Sequence, residues 1–258
     1  MKKELGVNPY LFPMPVLMIA TYGDGDVVDV MNMAWGGICA ENMVSLNISA
    51  DHKTSENIKK RGAFTLSVAD IPHIEAADFF GIASGNKMPD KFARSGLTAV
   101  RSEKVDAPIV QEFPLTLECR VVEDKEEVYG HHVLGEIVGV LVDETVLDEK
   151  GKVDPTKLNA FVFDQFRSGY YAIGQKVGQA WHTGAPLMKI DFAGNFLSRL
   201  EKRIENNPLL PKWRGELYLE FHRGTYTSVA KNKRNNRQSE FLYLDAELMS
   251  VLDKELRD

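Results

Sequence analysis

Apolar and polar residues alternate with a period of two from Met43 to Ser49 (Met-Val-Ser-Leu-Asn-Ile-Ser), the mark of a strand with one buried face. The stretch from Val30 to Ala69 is built around it. It reads as a strand, a turn broken by Gly36-Gly37, the Met43–Ser49 strand, a polar turn opening a short helix, and a third strand from Ala63 to Ala69. The helix carries Glu56, Ile58, Lys59 and Lys60; Asp51 or Thr54 is its expected cap and Gly62 its stop. Its two junctions, Asn32 to Gly37 and Ser49 to Asn57, set amides, hydroxyls and small residues at strand ends, where backbone donors stay free for a ligand.

Upstream, the β-branched run Val16–Thr21 resumes at Val27 after Tyr22-Gly-Asp-Gly-Asp26, a hairpin signal in which Asp-Gly supplies positive φ. Gly23-Asp-Gly25 is too short for a dinucleotide fingerprint, and no helix pattern follows it. Downstream, Pro72 opens a helix from His73 to Ser84 with Ile74, Ala77, Phe80 and Phe79 on its inner side. The loop Gly85–Asp90, with Lys91 and Phe92 beyond it, has the composition of a lid. Two long strands follow, Pro114–Val122 and Val133–Val142, separated by a charged turn at Glu123–Glu127 and by Tyr129-Gly-His-His132, where His131-His132 reads as a polar pair at a strand end. An apolar patch at Phe161–Phe163 and an aromatic segment at Ser168–Gly174 close this part. Many strands with few helices and no strict βαβ order predict a barrel or a sandwich.

Composition narrows the classes. At 258 residues, 44% hydrophobic and 26% charged, the chain forms a core. A net charge of -6 argues against a general nucleic-acid binder, which must neutralise phosphates. Cys39 and Cys119 stand far apart without metal-ligand spacing, so neither a disulfide framework nor a structural zinc site is expected. Cys39 is expected to be buried, with no basic neighbour to lower its pKa. No run reaches the roughly 20 apolar residues that span a bilayer. Pro9, Pro13 and Pro15 break the early apolar run in a way foreign to a secretory leader, so a cytoplasmic protein without membrane partners is expected.

Charge also changes along the chain. Residues 1–184 hold 18 basic and 26 acidic residues, net -8, and residues 185–258 hold 13 and 11, net +2, which suggests two modules. In the second, Phe192, Phe196, Leu200 and Ile204 recur every four residues as in an amphipathic helix ended by Pro208 and Pro211. Glu216–Phe221 alternates as a strand, and a basic, polar stretch leads into a second helix with Leu244, Leu248, Val251 and Leu252 on one side.

Asn32-Met-Ala-Trp-Gly-Gly, Ser49-Ala-Asp-His-Lys-Thr-Ser-Glu-Asn-Ile and Tyr170-Tyr-Ala-Ile-Gly-Gln-Lys-Val-Gly, in that order, resemble the flavin reductase-like family that includes flavoredoxins, over about residues 8–184. The resemblance implies an FMN-binding split β-barrel, a mainly β fold with helices built as a Greek-key antiparallel barrel, usually homodimeric, followed here by a mixed α/β appendage. FMN asks for donors to a phosphate, a polar rim at the ring edge and an apolar plane at its face. Lys53, Thr54, Ser55 and the amides of the following helix suit the phosphate. Asn32, Ala34 and Ser49 suit the ring edge; Trp35 suits its face; Lys91 and Phe92 suit closure over the phosphate or the dimethylbenzene end. Met33, Ala50, Asn57 and Tyr171 complete the implied cofactor contacts, while Tyr170 and Tyr171 are read first as packing or dimer residues. No catalytic side chain and no metal ligand is expected, because the flavin carries the chemistry. The implied reaction is hydride transfer from NAD(P)H to flavin and onward to a small-molecule or protein acceptor; the alternative is a noncatalytic electron carrier.

The second module resembles another family. Trp213-Arg-Gly-Glu-Leu-Tyr-Leu-Glu-Phe-His-Arg-Gly-Thr-Tyr-Thr227 and Asn232-Lys-Arg-Asn-Asn-Arg237, within about residues 192–252, are similar to an internal segment of the zinc-dependent retaining α-mannosidases. A metal motif and a nucleophile block are missing, so catalysis of that kind is not expected. A passenger fused to the flavin domain is the favoured reading, with a docking surface or a sugar-binding fragment as alternatives.

Overall fold

In the computed structural model, residues 1–185 and the strands at 215–222 and 225–232 are described. The chain divides into two compact units, Met1–Gln175 and Lys176–Asp258.

The first unit opens with β1 (Leu17–Tyr22) and β2 (Val28–Met33), paired antiparallel from Leu17↔Met33 to Tyr22↔Val28. Gly25 and Asp26 make the predicted tight turn, at φ 64° and 59°. Then come β3 (Gly36–Ala40), β4 (Met43–Ile48), α1 (Lys53–Arg61), β5 (Ala63–Val68), α2 (Ile74–Ile82) and the short α3 (Lys91–Ser95). A small β6–β7 pair (Ala99–Arg101, Pro108–Val110) precedes β8 (Leu115–Glu127) and β9 (Gly130–Val142). One turn of helix, α4 (Pro155–Leu158), and the β10–β11 pair (Phe161–Asp164, Gly169–Ala172) complete it.

Seven strands form one antiparallel sheet in the order β2-β1-β5-β8-β9-β4-β3, curled into a half-barrel. Side chains of a strand alternate between faces, and both faces of β1 are buried. Leu17 and Ile19 join Met31, Met33, Leu46, Phe64 and Val133 in an inner core that Ile58 of α1 covers. Val16, Met18 and Ala20 join Val30, Ala77, Phe80 and Phe161 in an outer core under α2. The predicted inner side of α2 holds: Ala77 and Phe80 are buried, and Ile74 and Phe79 pack beside them.

Three expectations need correction. Gly36-Gly37 is not a turn but the start of β3, paired with Leu46 and Ser45 of β4. A Cβ at Gly36 would lie 2.9 Å from Ser45 O and 3.0 Å from Leu46 Cδ2, so the glycine is there for close approach. Glu123–Glu127 is not a turn either: it continues β8 opposite Gly130–Leu134, leaving Val128-Tyr129 as the hairpin tip. The pairing buries His131, whose Nδ1 lies 2.9 Å from Asp124 Oδ1, so strand hydrogen bonds and this side-chain hydrogen bond outweigh the polar composition. Cys39 is exposed, because β3 is an edge strand with one open face; Cys119 is the buried thiol, pushed up to about 12 by desolvation first and the Glu118 charge second. A thiol-reactive dye at neutral pH should therefore label Cys39 within minutes and Cys119 only on unfolding. In the second unit, β12 (Gly215–His222) pairs with β13 (Thr225–Asn232) as a hairpin. The strand expected over Glu216–Phe221 is thus present, whereas the helices expected around 192–204 and 244–252 lie outside the described residues. Among the described residues no helix is long and apolar enough to cross a membrane, and no cluster of three metal-ligating side chains occurs.

Candidate functional site at the start of α1

The polar turn Ser49–His52 carries β4 into α1. His52 occupies the N-cap position with extended backbone and no side-chain cap, so the expected caps, Asp51 and Thr54, do not serve. The amides of a first helical turn lack intrahelical acceptors. Those of Ser55 and Glu56 turn to His52 O at 3.1 and 3.4 Å. The amides of Lys53 and Thr54 remain as donors at the positive end of the helix dipole. Ser55 Oγ donates to Ser49 O at 2.8 Å and fixes the turn's width.

Thr54 does not cap because its hydroxyl is used below the turn. Thr54 Oγ1 donates to Asp29 Oδ2 at 2.7 Å, and Lys91 Nζ lies 2.9 Å from Asp29 Oδ1. All three residues are buried. The Lys91 contact is an ion contact without hydrogen-bond alignment at Oδ1; its ammonium also donates to Ala83 O at 3.2 Å. A buried carboxylate is tolerable only with such partners. The triad ties β2, α1 and α3 together under the turn, while the loop before α3 closes on it from the side: Asn86 Nδ2 donates to Asp51 O at 2.8 Å. A Cβ at Gly85 would stand 2.4 Å from Asp29 Oδ1 and 2.9 Å from Lys53 Cβ, so only glycine lets the loop come this close. Asp51, exposed beside this loop, has its carboxyl held below the usual range chiefly by a hydrogen bond from Ser49.

A second polar group lies farther along β2. Asn32 Nδ2 donates to Ala77 O at 3.0 Å and to Tyr170 Oη at 3.4 Å, and Tyr170 Oη donates to Asp78 Oδ1 at 2.8 Å. Burial first, then the Asp78 hydrogen bond, pushes the Tyr170 phenol up to about 12. Asp29 and Asn32 stand about 10 Å apart at the rise of a strand. Three residues apart, their side chains leave opposite faces of β2, which is an edge strand of the sheet.

Ser49, Ala50, Lys53, Thr54 and Ser55 therefore come together, with Lys91 directly under them. Asn32 lies at the second group, and Trp35, half exposed, follows the buried Met33 and Ala34 just past the end of β2. Three residues sit elsewhere. Asn57 is buried and donates to Thr21 Oγ1 at 3.0 Å. Phe92 stacks on Phe80 in the outer core, centroids 6.1 Å apart. Tyr171 makes an edge contact with Phe12 and is half exposed. Gly85 and Asn86 belong to the loop with lid composition, whereas Asp29 and Asp78 are not among the residues expected at the site. Asp29 had a visible signal, an acid inside the apolar run Val28-Asp-Val30, where an unpaired charge is seldom found. Asp78 has none, since its contact with Tyr170 joins residues distant in sequence.

Comparison with known proteins places these features in a family. Residues 10–168 match the family described as "Flavin reductase like domain". The flavoredoxin of Desulfovibrio vulgaris (Miyazaki F) has a similar structure, with a TM-score of 0.68 and 35% identity over 71% of this chain and 100% of that one. An uncharacterised protein of Pyrococcus abyssi is 33% identical over 141 residues, 54% of this chain and 77% of its own length. The remaining likeness is of a different kind: a Saccharomyces cerevisiae alpha-mannosidase is 50% identical over 56 residues, 22% of this chain but 5% of that enzyme.

Proposed function

Because the chain belongs to the flavin reductase like domain family, we propose that it is an FMN-dependent oxidoreductase whose cofactor phosphate sits at the start of α1. The observation that carries this reading is the donor set there: the Lys53 and Thr54 amides and the Lys53 ammonium, held over a triad that already neutralises its own buried carboxylate. Lys53 spans to Glu56 Oε2 at 3.0 Å on a partly exposed site, an ion pair weak enough to be exchanged for a phosphate contact. Asn32 would meet the ring edge, and Trp35 would stand against its face. When bound, the flavin supplies hydride chemistry with a nicotinamide donor. The protein's part is positional: the triad fixes the turn, Asn32 fixes the ring edge, and neither needs to exchange a proton during turnover.

The purified protein is expected to be yellow, to release FMN on denaturation and to oxidise NAD(P)H. A yellow protein with no NAD(P)H oxidation would favour the electron-carrier reading, to which the likeness to a flavoredoxin also lends support. We further propose a homodimer, in keeping with the exposed Tyr10, Leu11, Phe12 and Ile38. Cytoplasmic residence is consistent with two unpaired thiols. The second module, matching 5% of a mannosidase, is read as a passenger without glycosidase activity.

A further inference from the structure

We propose that Asp78 and Tyr170 lock the Asn32 carboxamide so that it meets a ligand as an acceptor only, selecting for a ring N–H at that point. This rests on the flavin reading of the site. Ala77 O can only accept, so the Asn32 atom 3.0 Å from it is the amide nitrogen. The Asp78 carboxylate also only accepts, so the Tyr170 proton is directed at it, 2.8 Å away. Tyr170 Oη then presents a lone pair to Asn32, 3.4 Å from the same Nδ2. With its pKa pushed up to about 12, the phenol keeps that proton throughout the physiological range. Both N–H groups of Asn32 are thereby engaged from one side, and Oδ1 is the one polar atom left for a ligand. The helix supplying Ala77 and Asp78 packs directly on Asn32: a Cβ at Gly81 would make ordinary contact with Asn32 Cβ at 3.4 Å.

An oxidised isoalloxazine ring carries one N–H, at N3, and its other edge atoms are acceptors. An acceptor-only Asn32 therefore discriminates against a ring methylated at N3, because that ring leaves Oδ1 desolvated without a donor. Asp78→Ala removes the acceptor at its source. The phenol proton is then released to turn towards Asn32 and compete for Oδ1.

The test is the ratio of dissociation constants for 3-methyl-FMN and FMN, taken within each variant so that general loosening of the site cancels. The wild type is expected to prefer FMN by at least tenfold. Asn32→Ala should bring the ratio to within about twofold of unity, and Asp78→Ala should lower it severalfold while far-ultraviolet circular dichroism stays unchanged. A wild type that binds both flavins equally, or an Asp78→Ala variant with the wild-type ratio, overturns the lock while leaving the flavin reading intact. A wild type that binds neither flavin overturns both.

Discussion

Replacing Lys91 by Met should destabilise the protein by roughly 3–5 kcal/mol, because it strands the Asp29 carboxylate in the interior without a cation. Lys91 is 2% exposed and its ammonium lies 2.9 Å from Asp29 Oδ1. Methionine keeps the length and apolar stem of lysine, so the lost term is the charge contact and the bond to Ala83 O. Urea unfolding of the apoprotein measures it. The double variant Asp29→Asn with Lys91→Met should recover a large part of the loss, since a neutral carboxamide still accepts from Thr54 and no longer needs a counter-charge. A double variant as unstable as the sum of the singles would show that the two residues are not coupled.

Gly85→Ala should weaken FMN binding at least tenfold and lower stability by about 1–3 kcal/mol, the usual range for overpacking. The added methyl would stand 2.4 Å from Asp29 Oδ1 and 2.9 Å from Lys53 Cβ, and the nearer obstacle is a carboxylate already held by Thr54 and Lys91. The loop or the helix start must move, and either motion displaces the donors proposed for the phosphate. Fluorescence titration with FMN follows the first effect and thermal unfolding the second. Gly184→Ala serves as the control, since a Cβ there meets nothing within 4 Å.

How much of this was legible in the sequence depended on how local each cause was. The alternation over Met43–Ser49 and the stop at Gly62 are properties of short segments, and β4 and the end of α1 fall where they predict. Gly36-Gly37 and Glu123–Glu127 failed for the opposite reason. Their composition favours turns, but partners across the sheet hold them in β3 and β8. The candidate site divides in the same way. Ser49–Ser55 is contiguous and was readable, whereas the structure adds that Thr54 faces down to Asp29 and that Lys91 is already committed beneath the turn. Asp78 reaches the site through Tyr170, 92 residues away in sequence, and no periodicity signals such a contact.

The central claim is that the Ser49–Ser55 turn holds the phosphate of a flavin nucleotide, and the direct measurement compares the affinities of the apoprotein for FMN and for riboflavin, which is the same ring without the phosphate. Each charge-assisted hydrogen bond contributes roughly 1.5–3 kcal/mol, so two or more predict FMN binding at least a hundredfold tighter than riboflavin. Equal affinity for the two flavins would contradict the placement of the phosphate at α1.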